Sequence, residues 1–149
     1  MWNLKSDERL VAWKEFRTRI GTLPFEEAVQ QTAHLWSYAP FVNHYLDRQS
    51  PEDWPTPWEL IDDGKFDDLA KALGMFYTLA LSSHGKQHEF LLETIVDSST
   101  AQNYNLVLID RGKYVLNYIF DTVISNEQLS KDVSIDKVYS SEDLHLSKY

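Results

Sequence analysis

His84 and His88 stand four residues apart, the spacing that sets two imidazoles on one face of a helix as in zinc proteases. That motif also needs a glutamate directly after the first histidine, and Gly85 and Lys86 follow here instead. Gly85 reads as the stop of the preceding helix, with His84 favourably placed at its negative end. Asp62, Asp63, Asp67 and Asp68 crowd around Gly64, but they lack the spacing and closing glutamate of a Ca²⁺ loop. They read as a turn followed by acids serving a helix N-terminus. Ser82 and Ser83 precede His84, yet adjacent helical residues do not face one another, and no G-x-S-x-G elbow occurs. Glu59 with Asp62 or Glu93 offers a carboxylate pair of the sort any acidic chain supplies, and these side chains are read as solvated surface. The expectation is a chain without a bound metal or cofactor.

The elements that must position any site divide the chain in two. Ser6 is placed to cap a helix with Asp7 and Glu8 in its first turn and Leu10, Trp13, Phe16 or Arg17, and Ile20 at helical spacing, until Gly21. Pro24 sits at the first turn of a second helix, with Glu26 and Glu27 behind it. Ala28, Val29, Thr32, Leu35 and Trp36 form its buried stripe, and Pro40 closes it. Residues 47–58, with Pro51, Pro55 and Pro57, are an ordered, extended connection, because Trp54-Pro55-Thr56-Pro57-Trp58 is too apolar to leave in water. A short helical turn from Trp58 to Asp62 leads to Gly64. Asp67 and Asp68 then open an amphipathic helix carrying Leu69, Leu73, Phe76, Tyr77 and Ala80 on one face.

From His88 the period changes to that of strands. Residues 88–96, 105–109 and 114–118 are strands, with Asp110-Arg111-Gly112-Lys113 as the hairpin turn between the last two. Ser125 to Gln128 is a short capping box. Helices followed by strands indicate an α+β fold, with a small antiparallel sheet after N-terminal helices. Residues 1–130 are expected to form one domain. Residues 131–149 alternate polar and apolar side chains and are expected to be a C-terminal arm, ordered only in a complex.

Composition narrows the function. The chain has 149 residues, with 14 basic and 23 acidic side chains and a formal charge of −9, a balance that argues against nucleic acid and anionic membrane. It has no cysteine, which removes thiolate metal sites, disulfides and any cysteine nucleophile at once. The sequence turns charged within nine residues of Met1, without the apolar stretch of a secretory signal. The longest near-apolar run, Leu73 to Leu81, is about half of what a membrane span needs. A cytoplasmic rather than secreted protein is the expectation. All five tryptophans lie in the first 58 residues, and 13% of the chain is aromatic. A core plus a protein interface explains this best, with Trp2, Trp13, Trp54, Trp58 and Tyr139 as interface candidates.

Trp54-Pro55-Thr56-Pro57-Trp58-Glu59-Leu60-Ile61, and then Gly64-Lys65-Phe66-Asp67-Asp68-Leu69-Ala70-Lys71-Ala72, resemble the core motif of bacterial transglutaminase-like cysteine proteinases. That family has W-x-x-P-x-E-[FL]-[LI] and then G-D-C-E-D-[YL]-A at the start of its central helix. Asn105-Leu106-Val107-Leu108 and Leu116-Asn117-Tyr118 resemble its H-[MV]-[VA]-L and L-D-N strands. The resemblance runs from Trp54 to about Val123 and implies a papain-like α+β core. It places Phe66 at the nucleophile, Asn105 at the base and Asn117 at the orienting acid, so all three roles are vacant. Tyr104, one residue from the base position, ordinarily titrates near 10 and is a poor base. Some family members bind calcium beside the nucleophile, and the matching positions here are Lys65 and Asp67.

The resemblance implies the fold without the reaction, and extends to small proteins of tailed bacteriophages. The expected function is therefore that of a non-catalytic, protein-binding pseudoenzyme, such as a structural component of a phage virion or its assembly in the host cytoplasm. The alternatives are a hydrolase or amide-transferring enzyme rebuilt on Asp67, His84, His88 or Tyr104, and an inhibitor or regulator mimicking a cysteine protease. Geometry separates the first two. An enzyme needs an open cleft over the Asp67 helix with a histidine about 3 Å from a carboxylate or hydroxyl, whereas a non-enzyme has Phe66 filling that space.

Overall fold

Acids at helix starts and bases at helix ends mark the first helix. In a computed structural model, which describes residues 1–146, α1 (Ser6–Ile20) has Asp7 and Glu8 in its first turn and Arg17 and Arg19 in its last. Trp13, Phe16 and Ile20 are its buried residues. Ser6 is not the cap. Lys5 holds that position without a side-chain bond, and the Ser6 hydroxyl instead reaches the Asp62 carboxylate. In α2 (Phe25–Ser37), Pro24 takes the cap position rather than the first turn, and Ala28, Val29, Thr32, Ala33 and Trp36 are buried. Leu35, expected in that stripe, is half-buried.

The proline-rich connection is ordered as expected. It contains a 3-10 turn at Pro51–Asp53, and Trp54 is buried with its indole donating to the Asp47 carbonyl at 2.8 Å. α3 (Pro57–Asp63) opens with a reciprocal box in which Thr56 and Glu59 bond each other's backbone N–H. It ends at Gly64 in the left-handed region (φ 66°), where a side chain would collide with the Arg9 guanidinium. That guanidinium donates to the carbonyls of Ile61, Asp62 and Leu4, locking the end of α3 onto α1.

α4 (Asp68–Ala80) is the central element, buried from Leu69 to Leu79 except at Lys71. Trp36 lies across Gly74, where a methyl group would sit 2.3 Å from the indole ring. One turn later the Thr78 hydroxyl accepts the indole N–H of both Trp13 (3.0 Å) and Trp36 (2.9 Å) while donating to the Gly74 carbonyl. A single hydroxyl thus satisfies two buried indoles and joins three helices. The helix stops at Ala80, before the expected Gly85. Residues 81–88 make turns, in which Gly85 passes too close to the Ala80 carbonyl to carry a side chain.

Against α4 lies an antiparallel sheet of β1 (Phe90–Asp97), β2 (Gln102–Ile109), β3 (Tyr114–Ile119), β4 (Thr122–Ile124) and β5 (Val133–Tyr139), in the order β4-β3-β2-β1-β5. The α+β expectation thus holds, with β1 starting and ending later than expected from the sequence and β2 longer. Asp110 and Arg111 adopt positive φ with Gly112 in the predicted turn. Phe90, Leu92, Val107, Ile109 and Leu116 face α4. Ile95, Leu106, Leu108, Val115 and Ile124 build a second, smaller cluster on the far side of the sheet. No helix among the described residues is long and apolar enough to cross a membrane.

The expected C-terminal arm is a correction. Residues 133–139 pair with β1 as an integral strand, and Tyr139 and Leu144 enter the core beside Trp54. The polar–apolar alternation was that of a sheet's outermost strand. Residues 147–149 of that arm lie outside the described residues.

The start of α4 is tied down by Asp67. Its Oδ1 accepts the Ala70 N–H, and its Oδ2 accepts the N–H groups of Tyr45 and Leu46, all at 2.8 Å. The Val42 N–H to the Phe66 carbonyl (3.1 Å) adds to the same seam. Asp67→Ala leaves three donors without this acceptor and is expected to cost about 2–4 kcal/mol. Urea unfolding with an unchanged m-value measures it, and a loss under about 0.5 kcal/mol would refute the role given to this carboxylate.

Candidate binding site at the start of the central helix

Three elements converge where α4 begins. Asp68 lies in its first turn, Asn105 on β2 and Asn117 on β3. Asn105 Nδ2 donates to Asp68 Oδ2 at 2.8 Å, and Asn117 Nδ2 donates to Asp68 Oδ1 at 3.2 Å and to the Asn105 carbonyl at 2.9 Å. Asn117 reaches both because it sits in the left-handed region (φ 72°), which asparagine tolerates better than most residues. Two of the three expected triad positions are therefore brought together, in contact through an aspartate whose role the sequence did not single out.

Phe66, the third, is elsewhere in chemical terms. It is 1% exposed, and its ring packs edge-on against Trp2 and Trp36 at about 5 Å. Its side chain is a hydrocarbon without a nucleophilic atom. Asparagine amides neither take up nor release a proton near neutral pH, so Asn105 and Asn117 can orient and donate, and Asp68 is the titratable member of the three.

Burial pushes the Asp68 carboxyl above its ordinary range, and the nearby Asp67 adds to this. The amide donors of Asn105 and Asn117, and the Lys71 charge, oppose it. Lys71 is itself lowered by burial, and its ammonium donates to the Ser37 carbonyl at 3.1 Å. Asn105 Oδ1 is sealed from solvent without a partner among the described residues. Beside this cluster opens a cleft of about 350 Å³ lined by Lys71, Asp68, Asn117, Tyr104, Tyr118 and the rings of Phe41 and Phe120. Tyr38 stands edge-on to Phe120 at 5.1 Å. Tyr38, Phe41 and Phe120 are 57%, 60% and 63% exposed, an aromatic rim around the cleft.

The other candidates do not assemble here. Tyr104 lines the cleft, but burial raises its hydroxyl further, away from use as a base. His88 pairs with Asp110 (Nδ1 to Oδ2, 2.6 Å) and stacks on Phe25, while His84 Nε2 contacts the Ile20 carbonyl. Asp110 is five residues along β2 from Asn105, roughly 16 Å away, beyond the opposite end of α4. The nearby Ser82 and Ser83 hydroxyls donate to the Leu79 and Gly21 carbonyls rather than to either imidazole. The calcium-matching positions do not suit a cation: Lys65 is itself cationic, and both Asp67 oxygens already accept N–H groups. Among the described residues no group of three or more His, Asp or Glu could hold a metal.

The interface candidates also change. Trp13 and Trp54 are buried with their indole N–H groups bonded, and Tyr139 is buried against Trp54, so none of the three can meet a partner in this fold. Trp2 and Trp58 are half-buried. The exposed rings belong instead to Tyr38, Phe41 and Phe120, which sequence reasoning passed over. Their signal was position: aromatics beside Pro40 and at a hairpin end, where connections run over the surface.

No protein-family model and no curated protein sequence matches the chain. Solved structures do. Calcium-bound LapG of Legionella pneumophila superposes with a TM-score of 0.72 at 16% identity, covering 99% of this chain and 82% of that one. A second LapG structure gives 0.70 at 16% identity, with 96% and 80% covered. EGTA-treated LapG gives 0.68 at 14% identity, with 92% and 78% covered. LapG has a transglutaminase-like cysteine protease fold, and this chain has the same fold.

The folded state holds the Asp68 proton more tightly than the unfolded chain does. This group's contribution to stability is therefore full below the ordinary aspartate range and is lost as pH rises through the raised value. ¹³C NMR is expected to show a carboxyl midpoint above about 3.9. Asn117→Ala, which removes a donor to the charged form, should move it higher; a midpoint at or below the ordinary value contradicts the assignment.

Proposed function

We propose that this protein is a non-catalytic, protein-binding member of the transglutaminase-like fold, which holds its partner on the aromatic rim over the Asp68 cleft. The observation that carries the reading is Phe66, buried against Trp2 and Trp36 in a chain without a cysteine. Loss of one member of a catalytic triad already removes most of its rate, because the three act as a unit. Here the nucleophile is a hydrocarbon, and the base and acid are amides that keep the scaffold's geometry without its proton chemistry.

Tyr38, Phe41 and Phe120 supply large, stiff apolar surface, and Lys71 and Asn117 supply donors beside it. This mixture anchors protein partners better than it binds a small polar substrate. The assembly we suggest is one of structural proteins, such as a tailed-bacteriophage virion. The resemblance of the Trp54–Ile61 and Gly64–Ala72 motifs supports it.

Affinity purification from the cells or particles that make the protein, followed by native mass determination, tests this. A stoichiometric partner retained by the wild type and lost from Tyr38→Ser/Phe120→Ser, with the urea midpoint unchanged, is the expected result. A solitary 17.4 kDa chain, or hydrolysis of casein abolished by Asp68→Asn, overturns it.

A further inference from the structure

The far face of the sheet carries a feature that the cleft does not explain. Along β1, Phe90 and Leu92 point to α4, so Leu91, Glu93 and Ile95 point away from it. The pairing sets Glu93 beside Leu106 of β2 and Val138 of β5, among mostly aliphatic side chains, with Glu89, Arg111 and Asn126 also lining the groove over this face. The connection from Ser125 to Asp132 covers part of this face through Leu129, and an open groove of about 460 Å³ remains over β1 and β5. Its walls are Leu91, Ile95, Leu108, Leu129, Val133 and Ile135.

Glu93 lies in that groove, 7% exposed rather than solvated as its sequence suggested. Among the described residues its carboxylate meets no hydrogen-bond donor and forms no ion pair, although Arg111 shares the lining. Burial raises its pKa, the mark of a charge that its surroundings do not compensate. A valine or isoleucine would suit this strand position better than an unpaired acid. A ligand that brings its own cation turns this cost into a selective contact.

The surroundings indicate the form of that ligand. Ile135 and Val138 on β5 are 60% and 45% exposed and continue the apolar strip beyond the groove. β5 is the outermost strand of the sheet among the described residues, and its outer backbone edge carries no further strand of them. A net charge of −9 draws basic partners from a distance. We propose that the β1–β5 groove receives an extended segment of a partner protein, whose lysine passes its four-carbon stem between Leu91 and Ile135 and sets its ammonium on Glu93. This surface lies on the opposite face of the sheet from α4, so it stands apart from the aromatic rim.

The test titrates the ¹⁵N-labelled full chain with acetyl-Ser-Val-Lys-Val-Ser-amide and with its norleucine counterpart. The lysine peptide is expected to give saturable amide shifts within residues 91–95 and 133–138, and to bind at least about tenfold more tightly than the norleucine peptide, equivalent to ~1.4 kcal/mol. Glu93→Gln removes a charge that burial disfavours, so it should fold at least as well, and it should erase the difference between the peptides. Ile135→Ser should weaken both peptides alike, and Phe120→Ser should change neither, which separates this surface from the cleft. Equal binding of the two peptides, discrimination that survives in Glu93→Gln, absence of saturable binding, or hexylamine binding as tightly as the lysine peptide would each overturn the proposal.

Discussion

One carboxylate organises the region around which the protein is built. Asp67 begins α4 and, with its two oxygens, collects N–H groups from its own helix and from the Tyr45–Leu46 loop. Each bond alone is modest, about 1 kcal/mol. Together they fix the helix start relative to the strand-like seam at Phe41 and Phe66, and so decide where Phe66 and Asp68 point. Phe66 goes inward to Trp2 and Trp36, and Asp68 goes toward Asn105 and Asn117. The site is a consequence of how this helix is anchored.

The Asp68 cluster ties three elements together through one carboxylate and two amides. Amides and a carboxylate still hold β2, β3 and α4 in register, and Asn117 accepts a left-handed backbone to do so. Amides carry no titratable proton near neutral pH, but they supply directed donors. Structural demand alone accounts for polar residues at these positions. The aromatic rim, by contrast, contributes little to the core and has no structural reason to be exposed on three separate residues.

Much of this was legible in the residues. The 3.6-residue period after Asp67 and the change of period at His88 located the central helix and the sheet, because both elements are buried against one another. Motif order across three blocks pointed to Asn105 and Asn117, which the fold sets on either side of Asp68. What escaped was set by tertiary placement. β5 looked like an arm because an outermost strand carries exposed Asp136 and Lys137 between apolar neighbours. Trp13 and Trp54 looked like anchors, but their indole N–H groups found Thr78 and the Asp47 carbonyl inside. Glu93 looked solvated because nothing local reveals that the sheet carries apolar clusters on both faces.

The strand order has a bearing on how the chain is made. β1 to β4 form by successive neighbouring pairings, each available as soon as the next strand emerges from the ribosome. The remaining side of β1 is different. It stays open until Val133–Tyr139 have been synthesised and cleared the exit tunnel, with Leu92 and Ile95 on the waiting strand. During that interval the nascent chain displays a bare, aliphatic strand edge of the kind that templates misassembly. Val133–Tyr139 therefore act as a closing stitch, and a message broken just upstream of Val133 would leave a product open to self-association.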